Sequence, residues 1–478
     1  MNLTRDPIPG LIRNIAIPAS LGFFFNTMFN VVDTYFAGQL SVDALAALSL
    51  SFPMFFILLS IGIGIQSGAT ALIANSLGAD DRDRAVRYQA QAVVLATIVT
   101  VTLAVPLFLL LPWLFRFFGA EGEVLAGGLR YMRVIVPGAV VMVLANTLNA
   151  GLQARGDTRS FRNLLIVMSI LNVGLDPLLM FGLNIGGVQI VPRMREAGTA
   201  IATIGLYAGG AIYLARRATQ AGAFRGCGWR DFRPDREIIR DLTGQSVPAS
   251  LNFMIMTLGA FVINFFISRY GRDPVAAYGA ALRIEQIALL PLLGLNTALA
   301  TLTGQNNGAR RLDRVDEAFA TSIKYSIIVT LVILPAVLLA APFLLGLFTE
   351  SANVIRIGRT YLYIQGITFF SYILINLSNS IVQGLKQPAM IMWVGLYRQV
   401  AAPALVFPLL AVTLAMEETG VFWGLAIVNW TAAFISMFVS RRKLAKARRR
   451  AEDEEEPGSR QPSAGGERLA DGGVLSSE

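Results

Sequence analysis

Apolar stretches of about 20 residues recur almost the whole way from Leu11 to Ser440, separated by short polar or Gly- and Pro-containing breaks. Their hydrophobic cores lie near 12–37, 44–76, 86–114, 126–151, 163–183, 198–215, 242–268, 274–304, 316–347, 358–384, 390–414 and 419–440. A helix of about 20 apolar residues crosses a hydrocarbon layer of about 30 Å. The pattern therefore predicts an all-α polytopic membrane protein with twelve transmembrane helices. The opening segment is too long for a signal-peptide core and lacks a small-residue cleavage site, so it reads as a retained first helix.

Composition agrees and narrows the chemistry. The 478 residues are 54% hydrophobic and 15% charged, with mean hydropathy +0.58. Soluble domains carry about 25% charge. The chain has no histidine and one cysteine, Cys227. That excludes His-based acid–base chemistry, Ser-His-Asp triads and intrachain disulfides, and no ligand spacing suggests zinc. No enzyme activity and no cofactor are expected. Proton handling falls to Asp, Glu, Tyr or Lys.

Charge sets the expected orientation. Lys and Arg near the predicted helix ends divide 26 to 9 between the two faces, the richer face including "RRKLAKARRR" and seven arginines between 216 and 240. By the positive-inside rule both termini belong in the cytoplasm of a multi-pass protein of the cell inner (plasma) membrane. The net charge of +9 then reports orientation and attraction to anionic lipid. Without a basic folded domain, no nucleic-acid partner is expected, and the chain is read as a monomer. The segment from Ala451 on is polar and Gly/Ser-rich, the composition of a disordered tail.

The chain also repeats itself. "IPASL" at 17–21 recurs as "VPASL" at 247–251, and "GADDRDR" at 78–84 aligns with "GARRLDR" at 308–314. Tyr131 matches Tyr361, Asn149 matches Asn379 and Gln153 matches Gln383, all at the same offset along the chain. Each copy holds six spans, so both enter the membrane from the same side as parallel repeats. The expected organisation is an N-terminal lobe (1–215), a basic cytoplasmic linker (216–240), a C-terminal lobe (241–440) and a basic juxtamembrane segment with tail (441–478). Two similar bundles meeting at a seam suit alternating access.

Departures from the repeat carry the chemistry. Asp33 stands opposite Ile263 and Asp176 opposite Val406, so both intramembrane aspartates belong to the first copy. A charged side chain at a helix centre costs roughly 2.5–3.5 kcal/mol on insertion scales. Asp33 shares a helix face with Asn26 and Asn30, and Asp176 shares one with Ser169 and Asn172. Counted from Arg13 and Arg162, both carboxyl groups fall in the outer half of the bilayer at comparable depth. Either they converge as a functional site, or Asp33 is interfacial and Asp176 caps a kink at Pro177. The second copy has its own polar cluster: Arg283 and Glu285, with Arg398 in a later helix. Glu285 either serves substrate binding or neutralises one of the arginines.

At these residues the chain resembles the multidrug and toxic compound extrusion (MATE) transporters, and among them the prokaryotic DinF-like branch. The resemblance covers about residues 10–440 and rests on "IPASLGFFFNTMFNVVDTYFAGQLSVDALAALSL", "LQARGDTRS", "LNVGLDPLLMFG" and "RIEQIALLPLLGLNTALATLTGQNNGA". It implies V-shaped lobes exporting organic, cationic small molecules by H⁺ or Na⁺ antiport. By that likeness Asp33, Asn30, Asn172, Asp176 and Thr203 are ion-coupling residues, with Na⁺, if used, at Asp33, Asn172 and Asp176. Pro18 is the hinge of the first helix. The seventh-helix glutamate of the NorM branch has no counterpart in "VPASLNFMIMTLG". The alternative within the superfamily is a lipid-linked oligosaccharide flippase, whose basic cavity has only Arg283 and Arg398 to represent it here.

Overall fold

The computed structural model describes residues 1–455. The first six spans are α1 (Ile8–Leu40), α2 (Val42–Gly78), α3 (Arg82–Phe117), α4 (Gly122–Ala154), α5 (Arg159–Phe181) and α6 (Glu196–Gln220). The second six begin with α7 (Arg236–Ile267), α8 (Arg272–Gly308), α9 (Leu312–Gly346) and α10 (Ala352–Gly384). The eleventh is Ala389–Thr413, formed by α11 (Ala389–Leu396) and α12 (Ala402–Phe407), each followed by a π turn. The twelfth is α13 (Glu417–Glu455). Among the described residues eleven helical segments are long and apolar enough to cross a membrane. The remaining one, α10, has the length but is diluted by Gln365, Asn376 and Asn379. The helices outrun their hydrophobic cores, leaving only 221–235 between α6 and α7. The expected disorder of the tail falls, from residue 456 on, outside the described residues.

Local chemistry sets the breaks. Ser41, Asp81, Asp235 and Ser351 cap the N-termini of α2, α3, α7 and α10 by accepting backbone N–H bonds in the first turn. The loop after α5 is a two-stranded antiparallel hairpin, β1 (Leu183–Ile185) and β2 (Val188–Val191), an exception to the all-helical expectation. Gly186 and Gly187 both take positive φ (62° and 87°), the backbone a tight two-residue hairpin turn demands. In the eleventh span Pro403 and Pro408 lack the N–H that would bond four residues back, and the π turns lie beside them.

The two ends of the described chain share one face, the termini face. Arg311 donates to the Thr4 carbonyl at 2.9 Å, and Arg448 pairs with Asp316. Near this face α1 and α7 change partners. The first half of α1 (Ile8, Leu11, Ile12, Ile15) packs among Leu295, Leu299, Phe319 and Leu377 of the other lobe. The first turns of α7 (Ile238, Leu242) pack in return among Ala69, Leu72, Tyr88 and Ala92 of the N-terminal lobe. The far halves return to their own lobes, Phe29 of α1 to one core and Ile263 and Ile267 of α7 to the other. Pro18 and Pro248 stand where the two helices change partners.

The seam obeys the repeat. A Cβ on Gly64 would overlap Ser250 Oγ, and one on Gly294 would overlap Ser20 Oγ, the same crossing in its second copy. Closer to the termini face, Gly78 abuts the Gln305 carbonyl and Gly308 abuts the Asn75 carbonyl. Asn75 Nδ2 donates to the Gly384 carbonyl at 2.8 Å, and Gln305 Nε2 to the Ala154 carbonyl at 2.7 Å. Ser20 Oγ donates to the Pro291 carbonyl at 3.2 Å. These contacts all lie in the halves of α1, α2, α7 and α8 nearer the termini. Toward the opposite face α1 and α7 each return to the core of their own lobe, and no hydrogen bond between the lobes is found there among the described residues, so the lobes part as a cleft.

Candidate functional site

Three helices of the N-terminal lobe aim polar side chains at one interior point. On α1 the buried Phe29, Asp33 and Ala37 are spaced by four. On α5 the buried positions are Ser169, Asn172, Asp176 and Met180, and on α6 Thr199, Thr203 and Tyr207. Spacings of three and four keep each set on one helix face. Asp33 is 9% exposed and Asp176 fully buried.

Asn172 Nδ2 donates to Asp33 Oδ1 at 3.0 Å, joining α5 to α1. The Asp176 carboxyl group and the Thr203 side chain also face Asp33. Both Asp176 oxygens, Asn172 Oδ1 and Thr203 Oγ1 are buried without a hydrogen-bond partner, and of these four atoms only the Thr203 hydroxyl has a proton to donate. The set is thus rich in acceptors and short of donors. A proton shared between the carboxyl groups, or a small cation among the oxygens, would supply what the side chains lack. Asn30 stands apart: it is exposed, and its amide donates to the Asn26 carbonyl of its own helix at 2.8 Å.

The C-terminal lobe holds a different cluster. Glu285 is 3% exposed and accepts a 2.7 Å bond from the Tyr361 hydroxyl. Tyr372 and Arg398 also face its carboxyl group, and the Arg398 guanidinium lies over the Tyr372 ring at 5.5 Å. Arg398 sits in the first π turn, where local unwinding redirects the side chain. Arg283 takes no part: two residues from Glu285, it points the other way and is exposed.

Sequence reasoning found the acids and missed the tyrosines around them. Tyr131 is buried close to both Asp33 and Asp176, and Tyr207 close to Asp33. The signal was available, because Tyr131 and Tyr361 are repeat partners and each stands beside a buried carboxyl group.

The geometry has relatives. The MatE family model matches residues 18–178 and 248–407, two copies that begin at Pro18 and Pro248, the repeat-related prolines of α1 and α7. The FAD transporter of Shewanella oneidensis is 30% identical over 361 residues, 74% of this chain and 77% of that one. A probable multidrug resistance protein of Bacillus subtilis, YoeA, is 26% identical over 82% of this chain and 86% of its own. The solved outward-facing conformation of a multidrug resistance MATE family transporter superposes with a TM-score of 0.85 at 25% identity, covering 94% of this chain and 98% of that one. With both halves matched and the lobes superposing over nearly their whole length, the chain belongs to the MATE family of membrane transporters.

Proposed function

We propose that the protein exports organic small molecules by antiport with H⁺ or Na⁺, and that the ion is exchanged at Asp33, Asp176 and Asn172 in the N-terminal lobe. The observation that carries the reading is the pairing of two buried carboxyl groups among side-chain oxygens that have no hydrogen-bond partner. Two ionised carboxylates held together in a low-dielectric interior repel, so a proton or monovalent cation there relieves a cost that water cannot. Thr203 supplies a further oxygen, whereas Asn30, exposed and bonded to the Asn26 carbonyl, lies outside this set. Gain or loss of the ion changes the charge between α1 and α5, and α1 also carries the lobe crossing at Pro18. A bend there would convert ion occupancy into a change of lobe arrangement.

The basic termini face is the cytoplasmic one in this reading, which makes the cleft outward-open. Relatives named for multidrug resistance support organic substrates, and the relative named for FAD extends the range to an anionic dinucleotide. The test is export from proteoliposomes with a pH or Na⁺ gradient imposed in turn. Transport that follows one gradient supports antiport, and transport indifferent to both contradicts it.

A further inference from the structure

Four helices line the cleft, and their inner stretches carry little charge. On α1 the single charged residue beyond Pro18 is Asp33, which is buried toward α5. The cleft half of α2 beyond its first turn and the cleft half of α7 have no charged residue. On α8, Glu285 is buried toward Tyr361. Arg283 remains. It is exposed, and no hydrogen bond or ion pair to it is found among the described residues.

Its direction follows from helix geometry. Arg283 precedes Gly294 by about three turns at 3.6 residues per turn, so both lie on one face of α8. Gly294 is where that face meets Ser20 of α1. Beyond that crossing α1 returns to the core of its own lobe at Phe29, so the outward continuation of this face, exposed at Arg283 and Ile287, is left uncovered on the side of the cleft. Arg283 lies about 16 Å along the axis from the start of α8 at Arg272, well inside the cleft rather than at its mouth. A guanidinium at this depth facing lipid would be expensive, whereas facing a water-filled cleft it is solvated and available.

We infer that the cleft receives the anionic group, phosphate or carboxylate, of an organic substrate at Arg283. The planar guanidinium offers paired N–H donors that match either oxyanion, and no exposed acid on these inner stretches competes for it. This departs from the cationic substrates expected from the sequence. It rests on the transporter reading above for the cleft's role, and it concerns recognition rather than coupling.

Equilibrium binding to the purified full chain, without any gradient, tests it separately from antiport. The anion probes are ADP and carboxyfluorescein, and the cation probe is ethidium. Wild-type protein should bind at least one anion saturably, R283Q should bind it at least tenfold more weakly, and R283K should keep most of the affinity. Ethidium binding should be indifferent to R283Q, and unchanged thermal unfolding will show that R283Q is folded. The inference fails if wild-type protein binds neither anion, or if R283Q binds them as tightly as wild type. Loss of gradient-driven export with anion binding intact would count against antiport and leave Arg283 as the recognition residue.

Discussion

Asn75 and Gln305, equivalent positions of the two repeats, perform the same act from opposite lobes: each reaches across the seam to a helix-end carbonyl, Gly384 for one and Ala154 for the other. Their own carbonyls lie against Gly308 and Gly78. The seam near the termini is thus closed by one contact used twice.

Breaking that contact should favour separation of the lobes there. Asn75→Ala leaves a buried carbonyl without its donor, at a cost of about 1–3 kcal/mol. Gly308→Leu forces a side chain against the Asn75 backbone. Spin-label distances across the termini face should lengthen in both variants, and Ser49→Ala, on an exposed part of α2, should leave them unchanged.

Glu285 and Tyr361 give a second expectation. Glu285→Gln keeps the shape and removes the titratable group, whereas Tyr361→Phe takes one donor away from a buried carboxyl group. A hydrogen bond to a charged group contributes about 1.5–3 kcal/mol. Tyr361→Phe should therefore lower the unfolding temperature more than Glu285→Gln, with the ion-to-substrate ratio unchanged in both. Loss of coupling in a fully stable Glu285→Gln protein would place Glu285 in the transport cycle.

On the face opposite the termini, Glu196 is 1% exposed and accepts from Arg130 Nε at 2.9 Å, with Arg195 at 3.7 Å. Glu196→Ala removes the buried partner of Arg130 on α4 and Arg195 at the start of α6, and leaves both arginines only the exposed Glu123. Breaking a fully buried pair costs about 3–5 kcal/mol, and the partly exposed arginines reduce that here. Thermal unfolding should drop measurably, while Glu123→Ala, on the exposed side of the same network, should have a smaller effect.

The spans and their pairing were legible because the membrane demands long apolar helices and because the internal repeat is written in side chains such as Tyr131 and Tyr361. Asp33 and Asp176 were legible as costly departures from that repeat. The exchange of partners by α1 and α7 was not, since helices apolar on every side carry no stripe to say which face packs where. Nor was the opposite pointing of Arg283 and Glu285, which depends on where the lobes separate. The hairpin at 183–191 had its signal in "LNIGGVQIV", a Gly-Gly pair between apolar residues.

Orientation has a direct check. A reporter fused after Glu478 should be active only when it requires the cytoplasm. Activity confined to a reporter that works outside the inner membrane would reverse the faces and make the cleft inward-open.

The central claim is that Asp33 exchanges the coupling ion. Asp33→Asn preserves size and the contact with Asn172 but removes the titratable charge, so the protein should fold. Asp176→Asn should weaken export in the same way, and the double variant should be far from additive because the two groups share one site. The deciding measurement is gradient-driven export by Asp33→Asn in purified proteoliposomes, with the pH and Na⁺ gradients imposed in turn. Coupled export should collapse while substrate binding persists. Export at the wild-type rate would contradict the claim.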